Sequence, residues 1–325
     1  MRVLILGGTR FIGRALTLRL LNEKHEVHLL TRTPEHAVFA PTAIVHPGDR
    51  REPASLAAAS GHFDVVYDFL GFDADDARVA SLALAGRCNR LVHLSTGSVY
   101  WVAAVRNCPW IEADGTLPLR DRANCDAAEF DYGVAKRECE QAYCEAAARD
   151  GFRPVFVRAP VVSGPGDYRK RDLYWVHRLL QGKPLVLPDG GHNVFNHVYV
   201  GDLVEMLVRL ATADAEPCEA FNAADRVFTT LREYVGRLAS IVKREPRFAD
   251  VPRARIAAAG LDDRSFYFAD TLSHVLDNRK AESRLGMSFL TPDRWMPPTV
   301  DWCRQQPLDT AEAARLAIEA ALAKS

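Results

Sequence analysis

The stretch Val3-Leu4-Ile5-Leu6-Gly7-Gly8-Thr9-Arg10-Phe11-Ile12-Gly13 puts four apolar residues directly before a glycine-rich turn. Val3–Leu6 predicts a buried parallel strand, and the apolar spacing from Phe11 to about Asn22 predicts a helix. Such a turn lets backbone approach a pyrophosphate, and the helix N-terminus supplies N–H groups and partial positive charge. We therefore predict a dinucleotide site made by Gly7, Thr9, Arg10, Phe11, Ile12 and Gly13.

The alternation of strand and helix continues to about residue 160. Further strands are predicted at Glu26–Thr31, Ala43–Val45, Phe63–Phe69, Arg90–Ser95 and Pro154–Arg158, with helices at Asp76–Ala85 and Asp131–Ala148. This order predicts an α/β fold with a doubly wound parallel sheet of the Rossmann type. We assign residues 1–160 to a dinucleotide-binding domain, with segments that return to the sheet near 195–225.

The pattern changes after Arg158, where Pro160, Gly164, Pro165 and Gly166 interrupt the chain. Beyond this loop we predict a helix at Leu173–Gln181, a strand at Asn196–Val200, a helix after Asp202 and a helix from Ala311 to Lys324. Residues 161–325 are thus expected to form mainly a smaller, mixed α/β substrate-binding domain.

Composition favours a small-molecule partner. The 325 residues carry 41 basic and 42 acidic side chains, which leaves no basic footprint for nucleic acid and no polybasic membrane anchor. The opening apolar run is too short for a signal peptide or a membrane span. Seven scattered cysteines form no CxxC pair, so we predict reduced thiols in a cytoplasmic protein, with neither a metal site nor a disulfide framework.

The end of the second strand bears on cofactor choice. A site selective for NAD usually has an acid there, but this strand ends in Thr31-Arg32. Arg10 and Arg32 can converge on a ribose 2′-phosphate, which favours NADP over NAD; the alternative is two solvated arginines. Asp49, after the third strand, is a candidate acceptor for the adenine amino group, although Gly-Asp pairs also form plain turns.

A catalytic pair is predicted on the helix at Asp131–Ala148. Tyr132 and Lys136 are four residues apart and therefore share one helix face. A nearby ammonium favours the phenolate, so Tyr132 can take or give the proton of an alcohol while hydride moves to or from a nicotinamide. Lys136 is also expected to hold the nicotinamide ribose. The alternative for this spacing is an ordinary surface helix.

A hydroxyl-bearing segment, Ser95-Thr96-Gly97-Ser98-Val99-Tyr100, ends the fifth strand. A hydroxyl at this point can meet a substrate oxygen beside Tyr132. The glycine-rich turn, this segment and the Tyr/Lys pair occur in the order expected for one active site.

Together these residues resemble the extended short-chain dehydrogenase/reductases of the NAD-dependent epimerase/dehydratase family. The likeness covers nearly the whole chain and is carried by Gly7–Gly13, Asp49, Ser95–Tyr100, Tyr132, Lys136, Arg158–Asp167 and Asn196–Asp202. It implies Thr96 as the catalytic hydroxyl, with Ser95 as the runner-up, and adds Leu70, Ser95 and Ala159 to the cofactor contacts. Family members often pair through a four-helix interface that includes the Tyr/Lys helix, so a homodimer is compatible with the resemblance.

Two departures narrow the expected chemistry. Dehydratases and decarboxylases of the family have an acid just after the active-site Thr, whereas Gly97-Ser98 follows here, which argues against β-elimination. Many nucleotide-sugar members have an Asn three residues after the Arg of the sixth strand, and here that residue is Val161.

The candidate substrate contacts lie mainly after the sheet. Arg169 and Arg171 belong to a basic loop that is suited to bind a phosphate or carboxylate. The alternative is a basic turn exposed to solvent. Ser98, Trp175 and His197 are further candidates, and His177 is a weaker one because lone histidines are more often structural. No cluster of residues suggests a metal ion.

The leading hypothesis is an NAD(P)-dependent enzyme that acts on a secondary alcohol or ketone of a polar substrate, as an epimerase or a reductase. Two alternatives use the same fold. The opening Gly-Gly-Thr-Arg-Phe-Ile-Gly also resembles a branch that includes the chloroplast stem-loop-binding proteins, which suggests nucleic-acid binding. A cofactor-sensing protein is the other alternative, but it would not need Tyr132 and Lys136.

Overall fold

The computed structural model describes residues 1–105, 107–151, 153–261, 265–270, 272–307 and 313–323. The chain divides into two compact units. The first consists of Met1–Val162, Val200–Ala224 and Leu276–Phe289, and the second of Ser163–Tyr199, Asp225–Val275 and Leu290–Ser325.

Strands and helices alternate through most of the chain. The strands are β1 (Arg2–Leu6), β2 (Glu26–Thr31), β3 (Ile44–Pro47), β4 (Phe63–Asp68), β5 (Cys88–Thr96), β6 (Pro154–Ala159), β7 (Val161–Ser163), β8 (Leu185–Pro188), β9 (Val194–Phe195), β10 (His197–Tyr199), β11 (Glu219–Asn222), β12 (Thr229–Thr230) and β13 (Phe248–Val251). The helices are α1 (Phe11–Asn22), α2 (Pro53–Ala58), α3 (Ala74–Leu84), α4 (Ser98–Trp101), α5 (Ala127–Asp150), α6 (Arg171–Gln181), α7 (Val200–Leu210), α8 (Leu231–Val242), α9 (Arg253–Ala258), α10 (Arg279–Leu285), α11 (Pro292–Arg304) and α12 (Ala313–Leu322).

A parallel sheet of seven strands organises the first unit, in the order β11-β6-β5-β4-β1-β2-β3. Val3 of β1 pairs with Val27 on one side and with Val65 on the other. The side chains of Val3–Leu6 are fully buried, as expected for a strand that is covered on both faces. The predicted doubly wound parallel sheet is confirmed.

Helices pack in pairs in the first unit, α1 with α7 and α3 with α5. The longest of them, α5, begins where the Asp126 carboxylate accepts a hydrogen bond from the backbone N–H of Glu129. It ends at Gly151, whose φ of 68° is the left-handed conformation that glycine adopts without strain. The predicted helix at Asp131–Ala148 lies inside these bounds.

The second unit contains shorter strands and several helices. β8 pairs with β13 in parallel, and β9 pairs with β12 in antiparallel orientation. Helices α6, α8 and α11 pack together. Their buried aromatic side chains, Trp175, Tyr234 and Trp295, form much of the core of this unit.

Several boundaries differ from the predicted ones. β3 begins at Ile44 and extends to Pro47, and the helix predicted after Asp202 already begins at Val200. β11 joins the sheet beside β6 and lies in the region near 195–225 where returning segments were expected. Of the predicted C-terminal helix, residues 311, 312 and 324 lie outside the described residues.

No helix in the described ranges is both long enough and apolar enough to cross a membrane.

One cysteine pair differs from the prediction. Cys144 of α5 and Cys218, just before β11, form a disulfide with a Cα–Cα distance of 5.6 Å. The expectation of reduced thiols is therefore wrong for these two residues. Their sequence separation of 74 residues carries no signal of the pairing, because only the fold brings α5 next to the start of β11.

We expect the unfolded, unreduced protein to present five reactive thiols, at Cys88, Cys108, Cys125, Cys139 and Cys303. Titration with a thiol reagent in denaturant, combined with peptide mass mapping, measures this number. The variant Cys218→Ser serves as the control, because it releases Cys144 as an additional reactive thiol. Seven reactive thiols in the wild-type protein would contradict the disulfide.

Candidate active site

Three predicted cofactor residues and the predicted catalytic Thr96 meet at one edge of the sheet. Gly7 follows β1 and Leu70 follows β4, while Thr96 ends β5 and Ala159 ends β6. Thr96 and Ala159 are register partners, and the N–H of Gly97 donates to the Ala159 carbonyl at 2.7 Å. Carboxyl ends of parallel strands form the edge where ligands bind in open α/β sheets.

In the glycine-rich turn, the start of α1 packs closely against the backbone that follows β1. A Cβ on Gly13 would overlap the carbonyl oxygen of Gly7, and Gly7 itself has a φ of 92° beneath the Leu70 side chain. The Thr17 hydroxyl donates to Gly13 O at 2.8 Å and lies 3.1 Å from Gly8 O, which holds the turn from below. Larger residues at 7 or 13 would displace the turn.

The first turn of α1 fits a pyrophosphate. Arg10 is the N-cap residue and makes no capping hydrogen bond with its side chain, and no acid lies in the first turn. The backbone N–H groups at this helix end can therefore face an anion. Thr9 and Ile12 are half-buried, Arg10 is exposed, and Phe11 is buried with a φ of 37°.

Arg32 and Asp49 lie together at the ends of β2 and β3. Arg32 Nη1 is 3.6 Å from Asp49 Oδ2, and the Arg32 side chain is 77% exposed. An ion pair this exposed contributes little to stability, so the guanidinium is available to another anion. Sequence analysis missed Arg14, one turn after Arg10 on α1, whose guanidinium lies 4.3 Å from the centre of the Phe39 ring.

The two neighbouring hydroxyls at the end of β5 have different surroundings. Ser95 is buried and donates to Glu140 Oε1 at 2.5 Å. Thr96 is half-buried, and its Oγ1 lies 3.2 Å from the Ser98 hydroxyl and accepts from the Ser98 N–H. Ser95 is thus part of the packing of α5, whereas Thr96 and Ser98 form a hydroxyl pair.

Tyr132 and Lys136 lie one turn apart on α5 but differ in burial. The Tyr132 side chain is 39% exposed, whereas Lys136 is 3% exposed. Lys136 Nζ donates to Gly71 O at 2.6 Å and to Leu94 O at 2.9 Å, and lies 2.8 Å from His93 Nε2. Burial lowers the pKa of Lys136, against the opposing effects of Cys139, Asp68 and Glu140.

A buried polar cluster that sequence analysis missed lies beneath Lys136. Asp68, at the end of β4, accepts from the Tyr143 hydroxyl and from Arg50 Nη2 at 2.9 Å. Its Oδ2 is 3.7 Å from His93 Nδ1. Burial alone would raise the pKa of Asp68, but Arg50, His93 and Tyr143 together hold it well below its ordinary value. The only sequence signal was polar residues inside otherwise apolar strands.

The candidate substrate residues of the second unit fall into two groups. Arg169 is exposed, while Arg171 donates to the buried Asp167 carboxylate at 2.9 Å. Trp175 is fully buried and donates to Tyr267 O, and His197 is buried among aromatic rings.

These contacts bear on three predicted substrate residues. Burial lowers the pKa of His197 to about 3, with a further contribution from Arg171, so its imidazole is neutral. The predicted substrate role of Trp175 and His197 has no support in this geometry, because both are core residues. His177, the weaker candidate, is also buried.

Comparison with known proteins supplies the family. Residues 3–224 match the profile of the NAD dependent epimerase/dehydratase family. The chain belongs to this family. The predicted family is thereby confirmed.

Two curated proteins are similar to this chain in sequence. It is 26% identical over 246 residues to the chloroplast stem-loop binding protein of 41 kDa b from Arabidopsis thaliana, an alignment that covers 70% of this chain and 60% of that protein. It is 28% identical over 235 residues to a 3-diazoavenalumate denitrifying reductase from a Streptomyces species, covering 67% of this chain and 74% of the reductase. The chain thus spans about three fifths of the length of the chloroplast protein.

Solved structures of similar fold agree with the sheet described above. UDP-glucose 4-epimerase from Thermotoga maritima is 20% identical with a TM-score of 0.73, and the match covers 94% of this chain and 99% of that one. The dTDP-glucose 4,6-dehydratase from Streptomyces venezuelae, solved with NAD, is 22% identical with a TM-score of 0.74, over 94% and 98% of the two chains. At these identities the likeness shows the fold.

The packing of α5 in this family member rests partly on a buried ion pair. Glu140 receives two hydrogen bonds from Arg158, at 2.6 and 3.0 Å, and both side chains are buried. Burial raises the pKa of Glu140, but Arg158 and Ser95 outweigh this effect and lower it below 4.5. A lowered folded-state pKa stabilises the fold above the unfolded pKa, and this contribution is lost as pH falls.

We expect Glu140→Gln to lower the free energy of unfolding by about 3 kcal/mol at pH 7, because it leaves the Arg158 charge buried without its carboxylate. Urea unfolding at several pH values measures the effect. The difference from the wild type should shrink as pH falls through about 4.5, where Glu140 of the unfolded chain is half protonated. Glu138→Gln, at an exposed position of the same helix, should change stability by less than about 0.5 kcal/mol. A pH-independent difference would contradict the assignment to the Glu140 charge.

Proposed function

We propose that this protein transfers hydride at a secondary alcohol or ketone of a polar, sugar-like or phosphorylated or carboxylated substrate, as an NAD(P)-dependent epimerase or reductase. One observation carries the proposal. The Lys136 ammonium is held between Gly71 O, after β4, and Leu94 O of β5, at the edge that also contains the glycine-rich turn and Thr96. Tyr132 lies one helical turn before Lys136, so a phenol and an ammonium share the cofactor edge.

A bound nicotinamide dinucleotide supplies the hydride acceptor or donor. In this proposal the turn at Gly7–Gly13 and the N-terminus of α1 hold the pyrophosphate, and Leu70, Ser95 and Ala159 border it. Tyr132 takes or gives the proton at the substrate oxygen, and Lys136 favours the phenolate by its charge.

Thr96 is the proposed substrate hydroxyl, with Ser98 beside it. The alternative, Ser95, donates its proton to Glu140 inside the packing of α5. Because this hydrogen bond occupies the Ser95 hydroxyl, it supports Thr96 as the substrate-binding hydroxyl. Thr96 is half-buried and lies next to a second hydroxyl, that of Ser98.

NADP is the cofactor we propose. Arg10 and Arg32 are exposed, and Arg32 is held only loosely by Asp49. A guanidinium binds a phosphate through its fork of N–H groups, and an exposed one loses little in exchanging a weak partner for it. Asp49 remains the proposed contact for the adenine. Arg14, on the same face of α1 as Arg10, is an additional candidate for the 2′-phosphate.

For the substrate we propose a phosphate or carboxylate that contacts Arg169, the exposed guanidinium of the basic loop. Arg171 is a weaker candidate because Asp167 already neutralises it. Gly97-Ser98 after Thr96 and Val161 after β6 argue against β-elimination and against a nucleotide-sugar diphosphate. The proposed partner is a small molecule. A cytoplasmic homodimer, paired through a four-helix interface that includes α5, remains part of the proposal.

Cofactor exchange separates the open alternatives. An epimerase keeps its cofactor through the cycle, whereas a reductase releases it. Fluorescence titration with NADPH and NADH, after a test for cofactor that co-purifies, distinguishes a retained from a releasable cofactor. Lack of binding of either would favour the nucleic-acid-binding alternative, while binding without turnover would favour the cofactor-sensing one.

Tyr132→Phe should abolish turnover and leave cofactor affinity within about twofold, because the variant removes only the hydroxyl that exchanges the proton. The measurement combines turnover on a panel of ketones and polar alcohols with fluorescence titration. A matched control is Tyr168→Phe, at an exposed tyrosine of the second unit, which should retain turnover. Normal turnover by the Tyr132→Phe variant would contradict the proposed mechanism.

Arg32→Ala should weaken NADPH binding by about tenfold and NADH binding by less than twofold, because only the former carries the 2′-phosphate that the guanidinium pairs with. Equilibrium titration with both cofactors measures the ratio. The control Arg78→Ala removes an exposed arginine of α3 that pairs with Asp75, and it should change neither affinity. Equal losses for NADPH and NADH in Arg32→Ala would refute the assignment.

A further inference from the structure

The Lys136 ammonium already has an acceptor for each of its three N–H bonds. These acceptors are Gly71 O at 2.6 Å, His93 Nε2 at 2.8 Å and Leu94 O at 2.9 Å. An ammonium has three donors and no more. Any further acceptor for Lys136 must therefore replace one of these three.

Two of the three acceptors are fixed by the backbone. Leu94 belongs to β5, which is paired on both sides, and Gly71 lies three residues after the end of β4. A Cβ at Gly71 would come within 2.7 Å of Asp68 Oδ2 and 2.8 Å of His93 Cε1. Glycine therefore lets the backbone at position 71 approach the imidazole while its carbonyl accepts from the ammonium.

The third acceptor is a side chain in a polar setting of its own. His93 is fully buried, with Nδ1 3.7 Å from Asp68 Oδ2 and its ring beside those of Tyr143 and Phe156. Burial and the charge of Lys136 lower the pKa of His93, so the imidazole is neutral and Nε2 is an acceptor when Nδ1 carries the proton. Of the three contacts, only this one can be given up without moving the backbone.

We propose that His93 is a positioning residue for Lys136, which competes with the nicotinamide ribose for the same N–H of the ammonium. This inference rests on the proposed function, together with the contact between Lys136 and the nicotinamide ribose that the sequence predicts. His93 holds the Lys136 ammonium on the side of Asp68. When the ribose binds, the ammonium has to exchange the imidazole nitrogen for a ribose hydroxyl oxygen. The exchange leaves Nε2 buried with only the Cys139 thiol, a weak donor 3.8 Å away, in place of the ammonium. Cofactor binding is therefore weaker than the ribose contact alone would give.

The competition predicts a gain of affinity on removal of the acceptor. His93→Phe should tighten binding of NADH or NADPH, whichever the wild type binds better, by about tenfold, because an N–H without an acceptor gains more from the ribose. His93→Gln retains an oxygen acceptor and should stay near the wild-type affinity. Both are measured by fluorescence titration, with thermal melting to confirm folding.

A double-mutant cycle isolates the pair. In a Lys136→Met background His93→Phe should leave cofactor affinity unchanged, because no ammonium is present for the two acceptors to share. Should His93→Phe fail to fold, His93→Asn takes its place, since its shorter amide keeps a polar group near Asp68 but ends short of Lys136.

A second readout needs no cofactor. The ¹³C resonance of Lys136 Cε, assigned by its loss in Lys136→Met, reports the pKa of this lysine. That pKa should fall in His93→Phe, because the charged form loses an acceptor, and it should be kept in His93→Gln.

Three results would overturn the inference. An unchanged or weakened cofactor affinity in His93→Phe means that His93 does not compete with the ribose. An equal gain in the Lys136→Met background means that the effect does not pass through Lys136, and an unchanged Lys136 pKa means that the contact itself is absent. A wild-type protein that binds neither cofactor contradicts the proposed function, whereas one that binds normally with an unresponsive His93→Phe contradicts only the role of His93.

Discussion

Helix α5 packs on the sheet through a stripe of residues that is mostly polar. Lys136, Cys139, Glu140 and Tyr143 follow the three- and four-residue spacing of one helix face, and all four are buried. An apolar stripe is stabilised by almost any apolar surface, whereas each buried polar group requires a partner at hydrogen-bonding distance. The rest of the active-site edge depends on these partners, because α5 carries the proposed catalytic residues.

The partners come from the strand ends, and they set the position of the helix along the sheet. Lys136 is held by groups of β5 and of the turn after β4, Glu140 by Arg158 of β6, and Tyr143 by Asp68 of β4. Hydrogen bonds weaken steeply with distance and angle, so a helix held at three strands cannot slide by one turn without losing them all. The position of Tyr132, one turn before Lys136 on α5, is fixed with the helix. The buried charges of Lys136, Glu140 and Arg158 therefore fix the position of α5 along the sheet.

Local signals were enough to predict the sheet and the cofactor turn. The apolar run at Val3–Leu6, the glycines that follow it and the spacing of Tyr132 and Lys136 are all properties of short segments. Cys144 and Cys218, by contrast, are 74 residues apart, and nothing in either neighbourhood signals the other.

The environment of a side chain depends on tertiary structure and could not be predicted from the sequence. The spacing rule placed Lys136 on a face with Tyr132, but the burial of that face becomes visible only when β4 and β5 are assembled beside it. Trp175 and His197 are the converse case. Their side chains are chemically suited to a substrate, yet the fold of the second unit uses them as core.

Strand β5 shows how one segment can serve stability and chemistry without conflict. His93 and Ser95 are two residues apart, so their side chains lie on the same face of the strand, and both contact α5. Each therefore satisfies a buried group of the helix. Thr96, the next residue, ends the strand at the edge of the sheet and pairs with Ser98. The Ser95 hydroxyl donates its proton to a buried carboxylate and is therefore poorly placed to bond a substrate oxygen. The different partners of these two neighbouring hydroxyls support a chemical role for Thr96 and a packing role for Ser95.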